Sequence, residues 1–152
     1  MNISINTILC PVDFSISSDH ALKYAQAFAH AHDAELLLLH VMELPTYTSM
    51  DYPITPETME ELKKTNADRL QQKVDEIQAT HEQVRSLLVT GSPFAEIIRT
   101  ARDEEVDLVV MGTHGRSGLA HMLMGSVAEK VVRKAPCPVL TVKHPEHEFL
   151  MP

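Results

Sequence analysis

The residues best suited to chemistry lie in one glycine-rich stretch of the 152-residue chain. Residues 111–127 read MGTHGRSGLAHMLMGSV, so two residues separate Gly112 from Gly115 and nine separate Gly115 from Gly125. Because glycine has no Cβ, main-chain N–H groups beside it can approach an anion closely. Ser126 follows at a predicted helix start, where free N–H groups and the positive end of the helix dipole attract the same kind of ligand. The spacing therefore predicts a phosphate site.

Glycine and charge are both distributed unevenly along the chain. Four of the five glycines lie between Gly112 and Gly125. Residues 112–134 contain four basic and one acidic side chain, a local charge of +3, whereas the other nine basic and twenty acidic residues sum to −11. A polyanion is attracted to the first segment and repelled by the rest. Taken alone, these charges indicate only a solvated helix end; together with the glycine spacing they favour phosphate binding.

Bulk properties exclude several classes of protein. A net charge of −8 argues against binding to nucleic acid or to an anionic membrane. No window has the eighteen or more uncharged apolar residues of a transmembrane helix, and the N-terminus lacks the basic region of a signal peptide. We therefore expect a cytoplasmic protein. Cys10 and Cys137 lie in apolar segments and are predicted to be buried, reduced thiols, with a redox pair as the alternative.

Apolar runs alternate with helical periods and predict the elements that position the glycine-rich stretch. Continuous apolar runs predict five strands, over residues 8–12, 35–42, 84–89, 106–111 and 139–142. Four helices are predicted between them, beginning near residues 15–18, at Thr55-Pro56, after Ser92 and at Ser126. Strands of this kind form a parallel sheet covered on both faces, with its ligand site at the carboxyl ends, where the strand order reverses.

Three further features of the chain concern the surroundings of that site. The segment over 43–56 is longer than most connections and is a candidate lid or binding loop. The helix after it has an apolar stripe that we expect to face the core, made of Met59, Leu62, Leu70, Val74 and Ile77. His40 lies between apolar strand residues, which favours a packed, hydrogen-bonded histidine over a ligand.

At this level of detail the chain resembles the universal stress protein family. The pattern G-x2-G-x9-G-S matches the family's ATP-binding motif, and ILCPVDFS, LLHV and APCPVLTV match its other landmarks over residues 5–142. The resemblance implies an α/β sandwich with a five-stranded parallel sheet. We therefore expect an open, doubly wound, Rossmann-like sheet with four helices and strand order 3-2-1-4-5. One nucleotide-binding domain is expected over residues 1–143, with a short tail over 144–152.

The resemblance also implies roles for individual residues. Asp13 matches an acidic residue that accepts a hydrogen bond from the ribose or helps to hold Mg²⁺ or Mn²⁺, although it could instead cap the helix that follows. Val41 matches the position whose main chain binds the adenine edge. The expected nucleotide-binding residues are Pro11, Val12, Asp13, Val41, Met111, Gly112, His114, Gly115, Arg116, Gly125, Ser126 and Val127. Members of the family often dimerise through their last strand, here Val139, Leu140, Thr141 and Val142.

Two functions from different classes follow from these residues. The favoured one is a homodimeric stress-response regulatory module that binds ATP, ADP or AMP and whose nucleotide occupancy tunes its assembly or its partners. The alternative is a slow Mg²⁺- or Mn²⁺-dependent ATPase on the same scaffold. No catalytic residue is assigned, because the chain lacks a Walker motif, a G-x-S-x-G elbow and a Cys–His arrangement. A phosphorylated receiver is disfavoured, since the first strand ends with Asp13 alone.

Overall fold

The computed structural model describes residues 1–44, 54–115 and 124–144. Within these ranges, strands and helices alternate as β1 Thr7–Pro11, α1 Ile16–His32, β2 Glu35–Met42, α2 Pro56–Gln78, β3 Val84–Thr90, α3 Pro93–Asp103, β4 Leu108–Gly112, α4 Ser126–Lys134 and β5 Val139–Val142. Most of the candidate lid over 43–56, the tail over 145–152, and Arg116 lie outside the described residues.

The five strands form one parallel sheet in the order β3-β2-β1-β4-β5, which confirms the predicted fold class. Helices α1 and α2 cover one face, and α3 and α4 cover the other. The interior strand β2 shows why its apolar run is continuous. Leu36 and Leu38 belong to the core beneath α1 and α2, whereas Leu37 and Leu39 belong to the core beneath α3 and α4. Both faces are thus buried, as parallel sheets require.

The helix starts coincide with the capping residues of the sequence. Ser15 caps α1 by accepting a hydrogen bond from the Ser18 N–H (3.2 Å), and Thr55 caps α2 through the Thr58 N–H (3.1 Å). Each cap satisfies an amide that has no intrahelical acceptor and contributes about 1 kcal/mol. Since Ser15 takes this position in α1, Asp13 is not its cap.

Strand β4 begins two residues later than predicted because Asp107 serves as its anchor. The Asp107 carboxylate accepts hydrogen bonds from the N–H groups of Asn6 (2.8 Å) and Thr7 (3.0 Å). The Asp107 N–H in turn donates to the Thr7 carbonyl (2.9 Å). These contacts join the amino end of β4 to that of β1, so that the two strands run side by side to the carboxyl edge.

The predicted inner stripe of α2 is wrong in its first half. Leu70, Val74 and Ile77 are buried, but Leu62 is 43% exposed. The reason is length: a 23-residue helix spans about 35 Å, whereas the eight-residue strand β2 spans about 26 Å. The second half of α2 packs on the sheet, and the first half extends past its carboxyl edge.

Candidate functional site

The carboxyl ends of β1 and β4 lie side by side, and the chain leaves them toward opposite faces of the sheet. From β1 it enters α1 on one face, and from β4 it leads to α4 on the other. A cavity of about 540 Å³ opens at this switch point. Its volume falls within the range of roughly 300–1,000 Å³ that small-molecule sites usually have. The fold and this cavity define an α/β protein of the open, doubly wound class.

The structure brings together nearly all the residues that we expected to bind nucleotide. Eleven of the twelve line the cavity: Pro11, Val12, Asp13, Val41, Met111, Gly112, His114, Gly115, Gly125, Ser126 and Val127. The twelfth, Arg116, lies outside the described residues. The four residues assigned to a dimer interface do not line this cavity; they form β5, which pairs with β4 at the edge of the described sheet.

The first turn of α4 presents main-chain donors to the cavity. Its N-cap is Gly125, with an extended backbone (φ −72°, ψ 163°) and no capping side chain. The N–H groups of Ser126, Val127 and Ala128 therefore have no intrahelical acceptor, and these residues line the cavity. The Gly125 N–H donates to the Thr113 carbonyl (2.6 Å), which fixes the helix start beside the end of β4. This turn has the form of an anion site.

The Asp13 carboxylate lies against the turn at Gly115, which follows β4. Its Oδ1 accepts a hydrogen bond from the Ser15 N–H (2.9 Å), and the Asp13 N–H donates to Ser18 Oγ (3.2 Å). A Cβ at Gly115 would lie 2.9 Å from Asp13 Oδ2. The absence of a side chain at Gly115 thus allows the carboxylate to lie directly against the turn that follows β4.

Gly112 has a structural role that the sequence did not indicate. A Cβ there would lie 2.5 Å from Ser17 Oγ and 3.1 Å from the Ser17 carbonyl oxygen. The end of β4 therefore packs directly against the first turn of α1. Likewise, a Cβ at Gly125 would lie 3.1 Å from the Thr113 carbonyl oxygen. These glycines let protein segments approach one another around the cavity; their approach to a phosphate stays a prediction.

Phe14, directly after Asp13, has a left-handed backbone with φ 64°. This conformation is unusual for a bulky side chain and persists only where the surroundings enforce it. The Phe14 ring packs against His40, with 4.6 Å between ring centroids, and beneath the Arg69 guanidinium, 4.0 Å from the ring centroid. His40 is 6% exposed, and its Nδ1 donates to the Val12 carbonyl (2.7 Å). His40 is therefore the packed, hydrogen-bonded histidine that the sequence predicted, although it also lines the cavity.

Sequence reasoning missed half of the cavity wall. Those beside predicted residues at the ends of β2 and β4 and at the start of α4 could have been found by extending these segments, and Ser18 lies in the first turn of α1. Two from α2 and two from α3 carried no such signal, because only packing brings those helices to the cavity. The missed residues are Ser18, Leu39, His40, Met42, Glu43, Leu62, Asn66, Pro93, Ile97, Thr113 and Ala128.

Neither cysteine lines the cavity, and both are free thiols. Burial raises the pKa of Cys10 from 9.0 to about 12, so its thiolate is scarcely populated at neutral pH. Cys137 is only half-buried, contrary to expectation, because it lies in the connection between α4 and β5 rather than in a strand. Burial also raises its pKa. Neither thiol is activated for redox or nucleophilic chemistry.

Residues 1–44, 54–115 and 124–144 contain no cluster of three or more His, Cys, Asp or Glu side chains that could hold a metal ion. In the same ranges, no helix is both long and apolar enough to cross a membrane.

Comparisons with known proteins agree with this architecture. A sequence model of the universal stress protein family matches residues 4–143. The chain is 34% identical to universal stress protein MJ0577 of Methanocaldococcus jannaschii, with 94% of this chain and 98% of that protein covered. The chain therefore belongs to the universal stress protein family.

Solved structures show the same fold. Universal stress protein UspA from Lactobacillus plantarum superposes with a TM-score of 0.81 at 27% identity, over 93% of this chain and 99% of that one. A family protein from Arabidopsis thaliana, described with AMP bound, superposes with a TM-score of 0.64 at 22% identity, over 93% of each chain. At that identity the Arabidopsis protein shows the shared fold alone.

Proposed function

We propose that this protein binds an adenine nucleotide, ATP or its products ADP and AMP, in the cavity at the switch point, and that occupancy regulates its assembly or partners in a stress response. The observation that carries the proposal is the uncapped first turn of α4, whose main-chain donors line a cavity also lined by Gly115 and Asp13. The charge distribution along the sequence agrees with it, because residues 112–134 contain four basic and one acidic side chain.

The direction of the bound nucleotide follows from the chemistry of the two ends of the cavity. Its α4 end offers main-chain N–H groups, which suit phosphates. Its β2 end is lined by Leu39, Val41 and Met42, which suit an apolar base. Asp13, two residues after the end of β1, lies between these ends because β1 lies between β2 and β4, and its carboxylate would accept a hydrogen bond from a ribose hydroxyl. The Arabidopsis relative with AMP bound indicates that the same fold can hold an adenine nucleotide.

Mg²⁺ or Mn²⁺ could accompany the nucleotide, because the chain supplies one suitable ligand. Mg²⁺ is commonly held by one or two carboxylates together with phosphate oxygens. Asp13 lies against the glycine turn with Oδ2 toward Gly115, so its carboxylate fits such a set. A bound metal would neutralise phosphate charge; Asp13 would orient it, and the amides of α4 would hold the phosphates.

Ser126→Pro tests the phosphate site with little risk to the fold. Proline is favoured at the first helical position, and the extended backbone of Gly125 (ψ 163°) suits a residue before proline. The substitution removes one main-chain donor and the hydroxyl, whereas the control Ser126→Ala removes only the hydroxyl. Because a hydrogen bond to a charged group contributes about 1.5–3 kcal/mol, calorimetry should show ATP affinity reduced about 10- to 100-fold in Ser126→Pro.

The adenosine arm of this experiment separates loss of the phosphate contact from loss of the fold. Adenosine lacks phosphates, so its affinity should be the same in the wild type, Ser126→Ala and Ser126→Pro. ATP affinity that is equal in the wild type and Ser126→Pro would place the phosphates elsewhere. A wild-type protein that binds neither ATP, ADP nor AMP would refute the proposed function.

We further propose that two copies pair through Val139–Val142. Support comes from the position of β5, which has β4 on one side and no second neighbouring strand in the described sheet. An open strand edge presents unpaired N–H and C=O groups to a second chain.

A further inference from the structure

The overhanging half of α2 contributes two residues to the cavity wall that the proposed function has not used. Leu62 and Asn66 are four positions apart, so they lie on the same side of the helix, and both line the cavity. Leu62 is 43% exposed although it is a large apolar side chain. Asn66 is half-buried beside it. Together they form an apolar surface with one amide at its edge.

A hydrogen bond to its own helix favours one orientation of the Asn66 amide. Its Nδ2 donates to the Leu62 carbonyl at 3.0 Å. A carbonyl oxygen can only accept, so turning the amide over would bring two acceptors together and lose this bond. The side chain has two N–H donors and an acceptor oxygen. In the described part of the chain Asn66 makes no other hydrogen bond, which leaves one N–H and Oδ1 available.

The position of α2 places this amide at the base end of the cavity. Helix α2 packs on β2 and β3, whereas α4, whose first turn holds the proposed phosphate site, lies on the opposite face of the sheet and is followed by β5. Leu62 and Asn66 thus adjoin the part of the cavity lined by the end of β2. A group bound there lies far from the uncapped amides of α4.

We propose that Asn66 selects adenine over guanine, an inference that rests on the proposed nucleotide site. An amide donor and acceptor side by side match the 6-amino group of adenine and the ring nitrogen next to it, the pairing by which asparagine reads adenine elsewhere. Guanine has a carbonyl oxygen in place of the 6-amino group, and that oxygen would face Oδ1. Turning the amide over to fit guanine would lose the bond to the Leu62 carbonyl, so the observed orientation favours adenine. The Leu62 side chain contacts the face of the base.

The test measures the dissociation constants of ATP, GTP and purine riboside 5′-triphosphate, which lacks the 6-amino group, for the wild type and Asn66→Ala. Alanine favours the helix, so the variant should fold. The wild type should bind ATP about tenfold or more tightly than either analogue, the lower part of the range for a bidentate asparagine–adenine pair. In Asn66→Ala the preference for ATP over each analogue should fall about tenfold, and any preference that remains is the part due to the main chain of Val41. Gln71→Ala is the matched control, because the Gln71 amide lies on the same helix and donates to Asp75 (2.8 Å); it should keep the wild-type preference.

The outcomes distinguish the two proposals. A wild type that binds ATP, with a preference for ATP that is unchanged in Asn66→Ala, overturns the role of Asn66 and leaves the nucleotide site intact. Equal loss of affinity for all three ligands in Asn66→Ala also overturns it, because a selecting residue must change their ratio. A wild type that binds none of the three refutes the proposed function and this inference with it.

Discussion

The contact between Gly112 and Ser17 joins the end of β4 to the first turn of α1, and Gly112→Ala tests its importance. The new Cβ would lie 2.5 Å from Ser17 Oγ, 3.1 Å from the Ser17 carbonyl oxygen and 3.2 Å from its carbonyl carbon. These distances are repulsive, and overpacking a tight site costs about 1–3 kcal/mol. For a domain of this size each kcal/mol lowers Tm by about 2–4 °C. We therefore expect Gly112→Ala to melt roughly 2–12 °C below the wild type.

Ser17→Ala separates the side-chain part of this clash from the main-chain part. Ser17 is 3% exposed, and its Oγ has no hydrogen-bond partner among the described residues. Removing an unsatisfied hydroxyl from a helix should leave the free energy of unfolding unchanged or raise it by about 0.5–1 kcal/mol. In the double variant, Gly112→Ala with Ser17→Ala, the 2.5 Å contact between the new Cβ and Ser17 Oγ disappears, while the two contacts with the Ser17 main chain remain. The double variant should therefore recover part of the loss, with a coupling energy of at least about 0.5 kcal/mol.

Urea denaturation without nucleotide measures the free energy of unfolding of the four proteins in this double-mutant cycle, which are the wild type, the two single variants and the double variant. Equal m-values check that their transitions are comparable. A free energy of unfolding for Gly112→Ala within about 0.5 kcal/mol of the wild-type value would refute the predicted clash, since the backbones would then separate at little cost. An equal change in the free energy of unfolding on Ser17→Ala, in the wild type and in Gly112→Ala, would also refute it, because the two sites would then not be in contact.

Two further predictions concern the backbone at Phe14 and the edge strand. Phe14→Gly and Phe14→Ala both lose the ring contacts with His40 and Arg69, but only glycine adopts φ 64° without strain. Urea denaturation should therefore show Phe14→Gly to be more stable by about 1 kcal/mol, and an equal or more stable Phe14→Ala would contradict this. Sedimentation velocity at micromolar concentration should show a dimer that Thr141→Lys converts to monomer, because an edge lysine opposes strand pairing. A wild type that is monomeric with and without ATP would exclude the β5 interface.

Much of the fold could be predicted because its signals are local. The run Leu36–Leu39 predicts a strand covered on both faces, and Ser15 and Thr55 mark helix starts by their own hydrogen-bonding chemistry. The glycine spacing predicted residues of the cavity wall for the same reason, because it is a pattern within one stretch of chain. The wrong prediction for the inner stripe of α2 arises because burial there depends on a property that is not local. Helical period places Leu62 on the same face as Leu70, but only the length of the sheet determines that the helix still lies beyond the sheet edge at Leu62.

By itself the sequence determined the class of the fold, the strand bounds and helix starts to within about two residues, and the part of the cavity wall that strand ends and glycines contribute. These features depend on patterns within a segment, because apolar periodicity, caps and glycine act over a few residues. Only the tertiary structure decided that Gly112 meets Ser17, that Phe14 has a left-handed backbone beneath Arg69, and that Asn66 reaches the base end of the cavity. Each is a contact between segments far apart in the chain, and it exists because the lengths and crossings of the packed elements bring those segments together.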